Sequence, residues 1–434
     1  MPDEDRLPAI GEALRTAARR FGTPLHLVDL ATIDATGTEL RDAFPDPWLR
    51  QYSVKANDVA AVVGAAARAV RGGANVVSRG EWAVASRAGI PNDRITLEGV
   101  GKTDADLRAA VAAAARRDPI RWIAVESADE VAVLAVIAER AGLGRGSRPP
   151  LDLLARLNPD VAPETHPGLA VGAGRSKFGM SETELTAAIE VARSAGPGLR
   201  PRGVHLHVGS QLGAVDAWRD AVRRAVATVA LLRGNDPDFD TLDIGGGFPV
   251  VPVGEPSPTP ARFARELPEI LDAVPAERRP ARLAIEPGRF LVARAGWLVG
   301  RVLHVRDRGG RQVVIDAGMT ELIRPALYGS PHPVVALTSN GRRIEDDARA
   351  MTAALGSDAL VDVHGPVCES TDSLGQHPLP PLRRGDLVAI RDAGAYGASL
   401  GSTYNGRPRP PQAVLEANGR LRIARRRGRL AALG

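Results

Sequence analysis

Lysine is almost missing from this chain. Only Lys55, Lys102 and Lys177 occur among 56 basic residues in a total of 434. A GC-rich coding sequence explains the tilt, and it leaves arginine to serve wherever a positive charge suffices. Arginine can neither lose its proton nor form an imine, so chemistry that needs either falls to the three lysines. Cysteine is scarcer still. Cys368 stands alone, which excludes a disulfide framework and a thiolate zinc site. Aromatic residues make up 4%, too few for a base-stacking surface. The net charge of +5 comes from arginines scattered among 51 acidic residues, not from a basic stripe. The one dense basic run, Arg425-Arg426-Arg427 with Arg429, sits in the tail. No uncharged apolar run approaches the roughly 20 residues of a membrane span. The opening residues, Met1-Pro2-Asp3-Glu4-Asp5, lack the basic and apolar regions of a secretory signal. The expectation is a cytoplasmic protein with neither nucleic acid nor membrane as partner.

What is present reads as a globular chain, 44% hydrophobic and 25% charged, long enough for two domains. Residues 8–21 have the spacing of an amphipathic helix, and residues 24–29 that of a strand. Short apolar runs then recur near residues 51–54, 74–77, 95–97, 122–125, 153–157, 203–208, 242–244 and 283–285. Most are separated by Ala/Arg/Glu-rich stretches with helical spacing. Eight strands alternating with helices predict a parallel sheet closed as a (β/α)8 barrel. An open doubly wound sheet is the alternative that spacing leaves. The strand ends favour the barrel. After the runs come Lys55, Ser78 and Glu81, Glu98, Glu126, Arg156 and Asn158, His207 and Ser210, Gly245-Gly246-Gly247, and Glu286. Polar and ionisable residues at the C-terminal ends of nearly all eight strands converge on one mouth in a barrel, but would spread along an edge in an open sheet.

Beyond about residue 290 the helical patterns fade. Apolar runs at 297–305, 312–315, 334–337, 359–363, 386–390 and 413–416, with Arg308-Gly309-Gly310 and Asn340-Gly341 as turns, predict a second, mostly β domain. Residues 254–260 and 378–381 read as loops.

Lys55 ends the run Leu49 to Val54 and precedes an Asn-Asp loop. A desolvated lysine at a strand end can lose its proton and hold a carbonyl cofactor. Gly245-Gly246-Gly247 gives bare backbone at another strand end, able to approach a phosphate, although a tight turn explains it equally well. Glu286-Pro287-Gly288-Arg289 adds a carboxylate, a second bare turn and a guanidinium at the neighbouring end, where barrels commonly bind phosphate. His205 and His207 share one face of a strand. With no cysteine or further clustered histidine to complete a shell, no metal site is expected there. Gly99-Val100-Gly101-Lys102 lacks the six-residue glycine spacing of a nucleotide loop.

These residues fall within motifs that resemble the fold type III pyridoxal-phosphate decarboxylases, and most closely the diaminopimelate decarboxylase family. The likeness runs from about residue 22 to 416. It rests on YSVKAN at 52–57, RLNPD at 156–160, SKFG at 176–179, GVHLHVGSQ at 203–211, LDIGGGFP at 242–249 and EPGR at 286–289. It continues through IRPALYG at 323–329, GPVCESTD at 365–372, DAGAYG at 392–397 and YNGRPRP at 404–410. The resemblance implies a pyridoxal-binding barrel over residues 30–288 and a sandwich- or barrel-like β domain. That second domain would be built from residues 1–29 plus 289–434 and would complete the active site and a dimer interface. It further implies that Lys55 carries the cofactor and that His207 stacks on its ring. Ser210, Gly245, Gly246, Gly247, Gly288, Arg289 and Tyr396 are similar to the residues that hold its phosphate. Glu286 resembles the carboxylate that faces the ring nitrogen. Arg289, Arg324, Tyr328, Tyr396 and Glu369 are similar to substrate-binding residues. Cys368 resembles a proton donor supplied across a homodimer interface. A substrate with two amino-acid ends, meso-diaminopimelate, suits guanidiniums and a carboxylate together. Departures from the family pattern at Glu98-Gly99-Val100-Gly101-Lys102 and Ser399-Leu400-Gly401-Ser402 leave open a paralogue acting on another amino acid, such as ornithine or arginine. A non-catalytic cofactor-binding homologue is the remaining alternative.

Overall fold

The computed structural model describes residues 6–173, 176–252, 255–346 and 360–430. Helix Arg6–Phe21 leads into strand β1 (Leu25–Asp29), and helix Leu30–Ala43 into the barrel. The barrel strands are β2 (Leu49–Ser53), β3 (Gly73–Val76), β4 (Ile95–Leu97), β5 (Trp122–Val125), β6 (Leu151–Leu157), β7 (Leu199–Leu206), β8 (Thr241–Asp243) and β9 (Arg282–Ile285). All eight pair in parallel, and β2 closes the ring by pairing Leu49 with Ala284 and Arg50 with Ile285 of β9. The open-sheet alternative is thereby excluded. Packing explains the ring. Strands β3, β4, β5 and β8 are buried at every position, as parallel strands sandwiched between layers must be.

The outer helices start where their sequences say they should. Ser78, Thr103, Ser127 and Ser181 each accept a backbone N–H from the first turn, and Thr103 and Ser181 complete reciprocal caps with Asp106 and Glu184. Between β8 and β9 the crossover carries the short helices Pro260–Ala264 and Leu267–Asp272 and the 3-10 turn Ala276–Arg278. Pro260 thus begins a helix instead of ending a loop, its fixed φ and missing N–H suiting the first helical position.

The remaining strands are β10 (Gly296–Asp307), β11 (Arg311–Ile315), β12 (Val334–Ala336), β13 (Thr338–Ser339), β14 (Arg342–Arg343), β15 (Leu360–His364), β16 (Ser373–Pro378), β17 (Leu387–Ile390), β18 (Gln412–Leu415) and β19 (Leu421–Arg425). Nine strands form one sheet, running β16-β15-β11-β10-β1-β18-β19, with β17 attached at β10 and β12 at β17; β13 and β14 make a separate hairpin. Strand β1 lies between β10 and β18, so the chain enters this sheet before it builds the barrel. Alternation splits β10 between two cores. Trp297 and Val299 face Leu14, Ala17 and Ala18 of the first helix, while Leu298 and Val302 face Ile315, Val363 and Val388. Strands β16 and β19 were not expected from sequence: Ser-Leu-Gly-Gln-His-Pro and Leu-Arg-Ile-Ala-Arg are poor in the β-branched residues that flag strands. The expected start of β15 at Ala359 lies outside the described residues. No described helix is long and apolar enough to cross a membrane.

Candidate active site

Lys55 sits in a single turn of 3-10 helix, Val54–Ala56, directly after β2. Its surroundings fix that turn. The buried Tyr52 hydroxyl donates to the Asn57 carbonyl at 3.1 Å, and the Asn57 amide donates to the Gly394 carbonyl at 2.9 Å. The Tyr396 N–H donates to the Ala56 carbonyl at 2.8 Å. The β domain is therefore stitched to the lysine turn, and Tyr396 holds a positive φ of 59° in doing so, a conformation disfavoured for a bulky residue.

Lys55 opens onto a cavity of about 510 Å³ at the C-terminal ends of the barrel strands. His207, Ser210, Glu286, Arg289, Arg324, Tyr328 and Tyr396 share its wall. Gly247 and Gly288 line a small pocket continuous with these residues. The glycine run is dictated by crowding. A Cβ on Gly246 would lie 2.3 Å from the Glu286 carbonyl oxygen, and Gly247 holds φ +109°. Among the described residues the N–H groups of Gly247 and Gly288 donate to no backbone carbonyl, which leaves them available to an anion.

The two guanidiniums decide what the cavity holds. Arg289 is 7% exposed and donates to Ser210 Oγ at 3.0 Å, with its face 4.6 Å from the Tyr396 ring centre. Arg324 is 3% exposed and donates to Ser330 Oγ at 2.8 Å, with its face toward Tyr328. Among the described residues neither meets a carboxylate, unlike buried Arg156, which pairs with Glu126 at 2.6 Å. Burial, with Arg289 nearby, pulls Arg324 down to about 10. Buried cations without anions are costly, so this cavity is built to take up two anionic groups. Beside free N–H donors, a lysine and a flat imidazole, that chemistry fits pyridoxal phosphate and a carboxylate-bearing substrate.

Opposite these cations lies an acidic cluster at the cavity floor. Glu98, Glu286 and Asp243 are all buried. Asn75 donates through one amide nitrogen to both Glu98 and Glu286. His205 Nε2 lies 3.3 Å from Glu98 and 3.4 Å from Glu286. Those contacts are not ion pairs, because burial lowers His205 to about 4. His207, lowered by burial and by Lys55, is neutral as well. The histidines do share one face, as expected. The partners that approach His205 are carboxylates, and ligand atoms of Glu98, His205 and Glu286 lie within 4.8 Å of one another. An amide N–H2 pointed at both acids satisfies anions and repels a cation, so this is a poor metal cage. Sequence reasoning marked Glu98 only as a strand end and passed over Asn75. The available signal was a polar residue inside a strand that is otherwise fully buried.

Cys368 and Glu369 stand apart. Both are exposed and lie outside the cavity, and Glu369 accepts the Tyr404 hydroxyl at 2.7 Å. Within one chain they do not join Lys55. Lys102 is buried and structural, donating to the Gly99 and Ala124 carbonyls and pairing with Glu130 at 3.0 Å.

Residues 30–293 match the family model described as "Pyridoxal-dependent decarboxylase, pyridoxal binding domain". The diaminopimelate decarboxylase of Aquifex aeolicus is 35% identical over 96% of this chain and 92% of that protein. That of Actinosynnema pretiosum subsp. auranticum is 37% identical over 91% of this chain and 84% of its own length. The crystal structure of Helicobacter pylori diaminopimelate decarboxylase complexed with L-lysine superimposes with a TM-score of 0.83 at 30% identity, covering 95% of both chains.

Proposed function

This chain belongs to the pyridoxal-dependent decarboxylases, within the diaminopimelate decarboxylase family, and we propose that it converts meso-diaminopimelate to L-lysine and CO2. The observation that carries this reading is the pair of buried guanidiniums, Arg289 and Arg324, that face the Lys55 cavity without anions of their own. The family's cofactor requires one anion site for its phosphate. A substrate with a second amino-acid end requires another.

Arg289, Ser210, Tyr396 and the backbone at Gly247 and Gly288 would hold the phosphate; the Gly245 and Gly246 N–H groups, expected to join them, already donate to Asp243 Oδ1 and His207 Nδ1. Lys55 would tether the cofactor's carbonyl carbon, neutral His207 would lie against the ring face, and Glu286 would face the ring nitrogen. When bound, the cofactor supplies a conjugated ring that accepts the electron pair left by departing CO2. The chain's own part is to orient and to manage protons. Glu286 would hold a proton at the ring nitrogen, and Arg324 and Tyr328 would fix the distal end of the substrate.

Cys368 and Glu369 enter from a second copy of the chain. Their exposure outside their own cavity supports that assignment, which makes the active unit a homodimer with shared sites. Cys368 would supply a proton from its thiol there, and Glu369 would receive the distal ammonium. A lone, exposed cysteine that must stay a free thiol suits the cytoplasm. The test is CO2 release from a panel of meso-diaminopimelate, ornithine, arginine and lysine. Turnover of meso-diaminopimelate at least tenfold above the others is expected. Preference for any other member refutes the substrate, and no cofactor uptake refutes the whole reading.

A further inference from the structure

The acidic floor of the cavity has more acceptors than donors. Glu98 Oε1, Asp243 Oδ2 and Asn75 Oδ1 are buried and unpartnered, and so are both ring nitrogens of His205. The one amide nitrogen of Asn75 is divided between Glu98 and Glu286. Two buried carboxylates whose oxygens lie within 4.8 Å of each other cannot both be charged without large cost. A proton on one of them removes a charge and provides the missing donor. We propose that Glu98 is a positioning residue that stores this proton, so that Glu286 presents the cluster's negative charge to the ring nitrogen of the cofactor. The proposal rests on the pyridoxal-phosphate reading of the site and assigns a role to a residue outside the cofactor's direct partners.

Glu286, just after β9, presses on Glu98 with negative charge, and burial together with the charges of Glu286 and Glu98 pushes Asp243 on β8 up as well. His205 on β7 and Lys55 act in the opposite direction, but burial lowers His205 to about 4, and Asn75 on β3 has a single nitrogen to share; the next ring outward is the self-neutralised Arg156–Glu126 pair. Burial, then the Glu286 charge, raises Glu98 to about 8. The proton therefore stays on Glu98 through neutral pH and leaves only in alkali. Above that point a second negative charge appears beside Glu286 and increases the proton affinity at the ring nitrogen.

The visible absorbance of the lysine-bound cofactor reports that change. In wild-type holoenzyme titrated from pH 6.5 to 9.5, an alkaline transition is expected. Glu98→Gln, an isostere that is permanently neutral, should abolish the transition and keep the spectrum of the low-pH form throughout. Glu98→Asp should retain a transition, displaced along the pH axis. An unchanged titration in Glu98→Gln overturns the proposal. Should that variant fail to fold by circular dichroism, Asn75→Asp decides. It removes the amide donor and adds an acid, so the transition must move to higher pH, and an unmoved transition overturns the proposal. Failure of the wild type to take up pyridoxal phosphate refutes the functional reading instead, before Glu98 is tested at all.

Discussion

Single side chains divide here by whether their charge is answered. Glu126 answers Arg156 and Glu130 answers Lys102, so those cations belong to the architecture. Arg289 and Arg324 are not answered within the described residues, and Lys55 makes no ion pair there. Three consequences separate their roles. Lys55→Ala should lose the borohydride-reducible link to the cofactor and most turnover, and Lys55→Arg should not restore either, since an imine needs a neutral amine. A reducible link surviving in Lys55→Ala sinks the assignment. Arg324→Gln should lower kcat/KM by the equivalent of roughly 2–5 kcal/mol, the cost of leaving a buried charge partner unpaired, while cofactor content stays full. Arg289→Gln should do the reverse, weakening cofactor retention first. Equal cofactor loss in both variants means that the two guanidiniums serve one anion and not two.

At the scale of elements, the eight barrel strands were legible because parallel strands buried on both faces read as short apolar runs. Their order of polar termini also marked the mouth. Less visible were the parts set by tertiary crowding or by polar residues inside buried strands. Strands β16 and β19 owe their pairing to neighbours β15 and β18, not to their own propensity. Asn75 and Glu98 meet only because β3, β4 and β9 converge on one floor. The glycine run after β8 shows both kinds of information at once. From sequence it was balanced between a tight turn and a phosphate cradle; in the fold, crowding against β9 requires a glycine at 246 whatever binds there. Gly246→Ala should therefore push the Glu286 backbone, costing roughly 1–3 kcal/mol of stability as overpacking does, and should also displace Glu286 from the ring nitrogen. A lowered melting temperature together with an altered cofactor spectrum is expected. Full stability with weakened cofactor binding would mean that the run acts only as the cradle.

The whole molecule leaves one assignment unfinished within a single chain: Cys368 and Glu369, carried by the β domain, are exposed and lie outside the cavity they are proposed to serve. The proposed two-fold dimer would resolve this. In an isologous pair each contact occurs twice, so two copies of the 365–372 loop would complete two cavities. Mixing Lys55→Ala subunits with Cys368→Ala subunits then gives heterodimers in which one site has both Lys55 and Cys368, while the other collects both lesions. With random reassortment half of the dimers are mixed, and about a quarter of all sites should be intact by that symmetry. Activity should rise from the near-zero level of either variant toward that fraction once exchange is complete. The exchange itself is checked by mass-tagging one variant and recovering mixed dimers. If mixed dimers form and activity stays at the level of the separate variants, the thiol acts within its own chain or not at all. A chain that stays monomeric at working concentrations would leave Cys368 no route to Lys55, and the proton must then come from a group already in the cavity, with Lys55 the nearest candidate.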